Sequence, residues 1–401
     1  MSLKNRKSRK FLENYYVMVL FVFVVSLPIL NFNRVFVIGL IMMADIFLIM
    51  STNKFSFLRR ELIYYIYILF CLISGLFYLL NGLPVRIFLS AVAGSVLPIF
   101  FVFLRQKSIY VKIYENIFRV MLISFIISLL LHIVVPNFYV NYLYYRGYIS
   151  EMSSFWATYF FQGLFGVTAL GTLSSCTALF FLIEYIETRM KRSLIYMFFS
   201  LMILFIAGRR SAIAAFLLGV IFIVGYYVLS GSAKRKRLTT IFLILGGGFV
   251  GILFYKREFL QRVILRVINI SEAVNERNDN WIDNLMNLDL VGWIFGSGLG
   301  SKSHQVSEIG GLGVYDSSYI QILTELGLVG FCLFVFCIIY AILKARRKNM
   351  DKYSLISLVI MFVFLVQAIG SNVWEFQIIS PLFWIAVGYC LHNNSTFAIE
   401  T

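Results

Sequence analysis

Asp316-Ser317-Ser318-Tyr319-Ile320-Gln321-Ile322-Leu323-Thr324-Glu325-Leu326-Gly327-Leu328-Val329-Gly330 is where a long polar stretch, 256–318, gives way to an apolar run. The polar stretch carries six cationic side chains (Lys256, Arg257, Arg262, Arg266, Arg277, Lys302), two tryptophans, a histidine and a run of glycines. On either side of it, apolar runs of about 20 residues succeed one another along the chain, and a run of that length is what a bilayer-crossing helix requires. The composition agrees, with 60% hydrophobic and 13% charged residues in 401 and a mean hydropathy of +0.86. A soluble domain carries about 25% charged residues. In lipid each backbone N–H and C=O must be satisfied within its own segment, so the runs are expected to be helices. The fold class is therefore all-α: a polytopic membrane helical bundle with one large loop outside it.

Hydropathy places about twelve spans, at 15–30, 35–50, 61–80, 85–104, 117–135, 161–185, 194–208, 211–229, 238–255, 319–343, 353–370 and 376–391. This divides the chain into transmembrane helices 1–9 (1–255), an external loop containing short helices (256–318), and transmembrane helices 10–12 with a short tail (319–401). The net charge of +16 does not indicate nucleic acid, because the basic residues cluster in short loops such as Lys234-Arg235-Lys236-Arg237. Under a twelve-span count the basic loops all fall on one side, which the positive-inside rule makes cytoplasmic, together with both termini. The first span is expected to be an uncleaved helix. The five cysteines lie in apolar segments and form no C-x-x-C, so neither a disulfide framework nor a zinc site is expected.

The opposite side gathers three polar elements. One is the aromatic segment 136–160. The second is Gly208-Arg209-Arg210-Ser211, at the tip of a tight helical hairpin. The third is the loop 256–318, with an amphipathic surface helix at 257–270, a second short helix at about 278–290 and a flexible glycine-rich stretch at 296–313. Arginine is disfavoured at an external hairpin tip; Arg209 and Arg210 there read either as a phosphate clamp, since guanidinium binds phosphate oxygens bidentately, or as snorkelling side chains. Arg277, four residues before Trp281, suits a phosphate beside a sugar or a cation–π contact. Arg262 and Arg266 suit lipid headgroups. Asp316 reads as a general base towards a sugar hydroxyl or as a helix N-cap, a role that Ser317 or Ser318 could also fill. His304 is the external-loop histidine and a second acid/base candidate, or merely solvated. Tyr319 and the intramembrane Glu325 join the arginines and Trp281 as candidate binding residues; Asp45 is a weaker intramembrane candidate. Gly296-Ser297-Gly298-Leu299-Gly300 lacks the strand and acidic partner of a nucleotide fingerprint and reads as a turn that lets backbone approach a partner. Gly247 and Gly251 read as a helix-packing pair.

The order of these motifs resembles the O-antigen ligase and O-antigen polymerase superfamily of bacterial envelope proteins. It is carried by Gly208-Arg209-Arg210-Ser211-Ala212, by Arg277 and Trp281, by Trp293-Ile294-Phe295-Gly296-Ser297-Gly298-Leu299-Gly300, and by the stretch 316–330, so it covers mainly residues 205–335. The resemblance implies a GT-C-like membrane glycosyltransferase at the outer face of the bacterial cytoplasmic membrane. It would take glycan from a polyprenyl-pyrophosphate donor, with no metal, nucleotide or other cofactor. Arg209 or Arg210 and Arg277 would hold the pyrophosphate. Partners would be the lipid-linked oligosaccharide, membrane lipids, a chain-length regulator and a flippase. Ligases carry His-Asn where this chain has Asp316-Ser317, which tilts the expectation to a polymerase of O-antigen or capsule repeat units, with a ligase as the alternative. A transporter of lipid-linked oligosaccharide is the rival from another class. It should show broken helices and polar residues near the bilayer midplane, in which the sequence reads as poor.

Overall fold

The computed structural model describes residues 58–80, 82, 84–104, 107–145, 163–164, 166–230, 270–303, 306, 313–314, 316–345, 350–376 and 379–392. Among these residues there are helices and no strands. Six helices are long and apolar enough to cross a membrane: Arg59–Leu80, Val85–Leu104, Lys107–Val134, Val167–Thr188, Arg210–Leu229 and Ser318–Ala345. They make this chain a multi-pass membrane protein. Each overlaps a span read from hydropathy. Three further spans are occupied by shorter helices, Lys191–Ala207, Lys352–Gln367 and Ser380–His392. The spans at 15–30, 35–50 and 238–255, the surface helix at 257–270, Asp45 and His304 lie outside the described residues.

We number the helices α1 (Leu62–Leu80), α2 (Val85–Ala91), α3 (Lys107–Val134), α4 (Pro136–Tyr145), α5 (Val167–Thr188), α6 (Lys191–Ala207), α7 (Arg210–Leu229), α8 (Ile270–Met286), α9 (Leu290–Phe295), α10 (Ser318–Ala345), α11 (Lys352–Gln367) and α12 (Ser380–His392). Helix α5 is the pillar. Its apolar window is 89% buried, against 28% for Arg59–Leu80, and it packs on α6, α7 and α11. Small and hydroxylic residues let its neighbours approach. Thr172, Ser174 and Thr177 donate to carbonyls one turn back, at 2.9, 2.7 and 2.6 Å. Ser175 donates across to the carbonyl of Ala212 on α7, at 2.9 Å.

Two spans are not continuous α-helices. After α2 the chain passes through a π segment, Val92–Val96, and a 3-10 segment, Leu97–Leu104. Pro98 explains this, because it has no N–H for the carbonyl of Gly94 and its ring crowds that turn. Helix α10 breaks at Gly327, whose φ of 63° and ψ of −172° are non-helical. The sequence expectation of few broken helices and little buried polarity is therefore corrected. Gln321 and Glu325, just above the break, are 6% and 4% exposed.

The two ends of α11 mark opposite ends of the bundle. At its start, Asp351 caps the helix by accepting from the Ser354 N–H at 2.8 Å. The Lys107 ammonium lies 2.7 Å from Asp351, the Tyr389 hydroxyl donates to it at 2.6 Å, and Lys352 pairs with Glu184 at 3.7 Å. Loops read from sequence as basic and cytoplasmic thus meet at one end. Burial raises the Asp351 carboxyl's pKa, but the bonds from Lys107, Ser354 and Tyr389 outweigh it and hold it below its usual value. A depressed carboxylate stabilises the fold above its unfolded pKa of about 3.9 and ceases to do so as pH falls through the lower folded value. The expected result is that Asp351→Asn lowers the thermal midpoint at pH 7 and narrows its further loss between about pH 4 and pH 2 relative to the parent. Melting in detergent across that range measures it.

The sequence puts the aromatic segment 136–160 outside the bundle, on the side of the large loop. Its described part, α4, corrects this for Tyr139 and Tyr142, which are 0% and 1% exposed. Their hydroxyls donate to the carbonyls of Gly163 and Leu164 at 3.0 and 2.5 Å. Both rings anchor the approach to α5.

Candidate functional site

Helix α6 ends at Gly208, whose φ of 65° lets its N–H return to the carbonyls of Leu204 and Phe205 at 3.3 and 3.1 Å. This is the left-handed stop that glycine provides cheaply. Arg209 is extended and Arg210 opens α7, so the turn between the two helices is as tight as the sequence implied. Gly171 on α5 accommodates it, since a Cβ there would stand 2.9 Å from the Ala212 Cβ and 3.2 Å from the Arg209 Cβ.

Asp316 lies ahead of α10 with φ 55°, a conformation uncommon outside glycine but tolerated by aspartate. Ser317 holds the capping position instead, its Oγ accepting from the Ile320 N–H at 3.4 Å. Freed from capping, the Asp316 carboxylate faces two arginines. Arg209 reaches Oδ1 and Arg277 reaches Oδ2, each at 2.9 Å. Arg209 also donates to Ser371 Oγ at 3.3 Å, and Ser371 Oγ lies 3.0 Å from Ser211 Oγ. The Arg209 Nε is buried without a hydrogen-bond partner among the described residues. Four separate stretches of chain thus meet at the end of the bundle opposite Asp351.

Arg210 is exposed, has no acidic partner among the described residues, and feels repulsion from Arg277. Among the described residues, three guanidinium groups gather around one carboxylate at a partly exposed surface. Such a cluster binds multivalent oxyanions, because each arginine can present paired N–H groups in a fixed fork.

Arg277 sits on α8, which overlaps the short helix expected at about 278–290 but begins earlier, at Ile270. Trp281 follows one turn later. Asn280 and Asn284 on the same helix donate to the carbonyl of Gly313, at 3.1 and 3.4 Å, which holds α8 against the approach to Asp316. Two expected binding residues stand apart from the arginines. The Tyr319 hydroxyl donates to the Leu365 carbonyl at 2.7 Å and its ring meets Trp374 edge-on. Glu325 lies two turns down α10, where its Oε1 accepts from the Lys302 N–H and from Gln321 Nε2, each at 3.2 Å. Burial lowers the pKa of the Lys302 ammonium while Glu325 opposes that shift.

The glycine-rich stretch was expected to be flexible. Residues 296–300 instead dock on the break in α10. The carbonyls of Thr324 and Glu325, in the turn just before the break, accept from the N–H groups of Ser297 and Gly298 at 2.9 Å each. Gly296 has φ 81° and Gly327 has φ 63°; a Cβ on Gly296 would overlap the Glu325 backbone, and one on Gly327 the Ile294 backbone. The approach to a partner was legible, and the partner is the chain itself.

Sequence reasoning missed Ser371, which links Arg209 to Ser211, and the neighbouring group Gln321, Trp374 and Glu375. A signal existed in Trp374-Glu375, an acidic residue beside a tryptophan immediately before an apolar run. Comparison of the chain with family models and with characterised protein sequences gives no match.

Proposed function

We propose that this protein polymerises lipid-linked oligosaccharide repeat units into a surface polysaccharide. Glycan would move from a polyprenyl-pyrophosphate donor at the outer face of the cytoplasmic membrane. The observation that carries the reading is the convergence of Arg209 and Arg277 on Asp316, with Arg210 beside them and without an acidic partner among the described residues. The motif order across 205–335 supports it. Twelve spans with both termini cytoplasmic is the topology we infer, and it puts this cluster outside.

In this reading the arginines turn from Asp316 to the pyrophosphate oxygens when the donor binds. They stabilise the charge that develops as the anomeric C–O bond to phosphate breaks and the lipid pyrophosphate leaves with the electron pair. The same movement frees the Asp316 carboxylate. It then accepts the proton of the acceptor hydroxyl while that oxygen forms the new bond to the anomeric carbon. Asp316 is thus resident counter-ion first and base second. His304 is the other base candidate.

A ligase would use the same donor chemistry. A transporter of lipid-linked oligosaccharide is favoured by one observation, the break at Gly327 beside buried Gln321 and Glu325. Deleting the gene in its host and sizing the surface glycan separates these readings. A polymerase deletion leaves single repeat units on the surface. A ligase deletion strands long chains on the polyprenyl lipid, and a transporter deletion strands single units on the cytoplasmic face. An unaltered glycan overturns all three.

A further inference from the structure

We infer that residues 290–301, which the sequence places in the external loop, form a re-entrant segment whose apolar side chains face the acyl chains of the surrounding bilayer. The segment reads Leu-Val-Gly-Trp-Ile-Phe-Gly-Ser-Gly-Leu-Gly-Ser, with no charge between Asp289 and Lys302. Its helical part is α9, where Leu290, Val291 and Phe295 are 77%, 62% and 53% exposed. Met286, at the end of α8, is also exposed. Large apolar side chains gathered on an open surface mark contact with a membrane or with another protein, and depth decides between the two.

Three neighbouring spans give that depth. Helix α10 starts at Ser318, at the arginine end of the bundle, and Gly327 follows nine residues later, about 13 Å along the axis. The end of α9 sits there, since a Cβ on Gly327 would overlap the Ile294 carbonyl and the Gly296 nitrogen. Gly298 packs on Ser74 and Tyr78, within the span Arg59–Leu80, and Gly300 packs on Ala91, within the span Val85–Leu104. The span Arg59–Leu80 has 22 residues, about 33 Å of helix, little more than the roughly 30 Å of a hydrocarbon core. Ser74, six residues before its end, therefore lies below the surface of that core, and the segment packed on it lies there too. At that depth the occupant of an open apolar face is lipid.

Irregular backbone survives in the hydrocarbon region only where protein buries it. Residues 296–302 meet this condition. Besides the bonds that Ser297 and Gly298 make to α10, the Ser297 Oγ donates to the Thr324 carbonyl at 2.9 Å. The Ser301 N–H returns to the Gly298 carbonyl at 3.0 Å, and the Lys302 N–H reaches Glu325. Asp289 closes the start of α9 by accepting from the Gly292 N–H at 2.7 Å. The main chain is thus turned towards the protein and the apolar side chains away from it, as on a lipid-facing surface. Helix α8 differs: it carries exposed Asp279 and Asp283 together with Arg277, and stays in the polar boundary. Three residues join it to α9, so embedding α9 fixes Arg277 at the height of the lipid headgroups. A segment that enters and leaves on one side keeps the twelve-span count.

The inference does not depend on the reaction, since a polymerase, a ligase and a carrier would be embedded alike. Full-length protein is prepared with Cys332→Ala, which removes the exposed thiol and leaves four buried ones. Leu290→Cys, Val291→Cys, Phe295→Cys and, as the water-facing reference, Asp279→Cys are then introduced singly. Each is labelled with a nitroxide in liposomes and read by electron paramagnetic resonance power saturation. Oxygen, which partitions into lipid, is expected to relax the three α9 labels several-fold more than a water-soluble nickel complex does, and the order is reversed at residue 279. A size-exclusion peak matching the parent shows that each variant is folded, and three positions guard against the loss of one. Nickel access at α9 equal to that at residue 279 would place the segment in water. Low access to both reagents would mean that protein, a second copy or another stretch of this chain, covers it. Either result overturns the inference.

Discussion

Arg209→Ala is expected to reduce glycan elongation by about 100-fold or more, because one preorganised donor at a developing charge is worth roughly that much. Arg209 holds Asp316 and Ser371 together and keeps its Nε buried. Its loss removes a donor and also frees one oxygen of Asp316, which then pulls on Arg277 alone. Arg209→Lys retains the charge without the fork and is expected to recover only part of the activity. Arg192→Ala is the control: Arg192 follows the tight turn at Arg189 and lies beside Met190 at the other end of the bundle. Surface charges of that kind contribute little, and the variant should elongate normally. Glycan ladders at matched membrane abundance measure all three. A full-length ladder from Arg209→Ala would remove the arginine cluster from the chemistry.

The second large effect concerns folding. Gly296→Val and Gly327→Val are each expected to cost several kcal/mol, on the order of the largest single-site effects seen in proteins. Both positions have positive φ, which costs a branched side chain about 1–3 kcal/mol by itself. Both also press backbone on backbone: a Cβ on either glycine collides with main-chain atoms of the opposite segment, which no side-chain rotation relieves. The two bonds from Ser297 and Gly298 to the broken turn of α10 would be lost together, leaving carbonyls unsatisfied inside a membrane protein. Little folded protein should accumulate, seen as a collapsed size-exclusion peak. Gly225→Val is the contrast, since none of the described residues lies within 4 Å of a Cβ there. A normal peak from Gly327→Val would mean that the break in α10 is not needed for the fold.

The long spans were legible because about 20 apolar residues in a row have one economical structure in lipid. The α6–α7 hairpin was legible too, from a glycine and two arginines between apolar runs. The break at Gly327 was not: a glycine in an apolar run reads equally well as a packing position, and only docking of residues 296–300 makes it a discontinuity. Nor could sequence show that Asp316 pairs with both Arg209 and Arg277, or that Gln321 bridges Glu325 and Glu375. Those contacts join residues far apart in the chain and depend on how helices stack. The buried Tyr139 and Tyr142 teach the same lesson in reverse, since an aromatic loop and an aromatic anchor have the same composition.

The most direct test of the central claim is elongation by the purified protein. Full-length protein in detergent, with no compartment to transport into, is supplied with the host's polyprenyl-pyrophosphate-linked repeat unit alone, and products are sized by gel electrophoresis. The arginine cluster predicts a ladder of lengthening lipid-linked glycan, with release of polyprenyl pyrophosphate in step with each addition, and no ladder from Arg277→Ala. Repeat units that bind and are recovered unextended, with no pyrophosphate lipid released, would contradict it and leave the protein a carrier of these lipids.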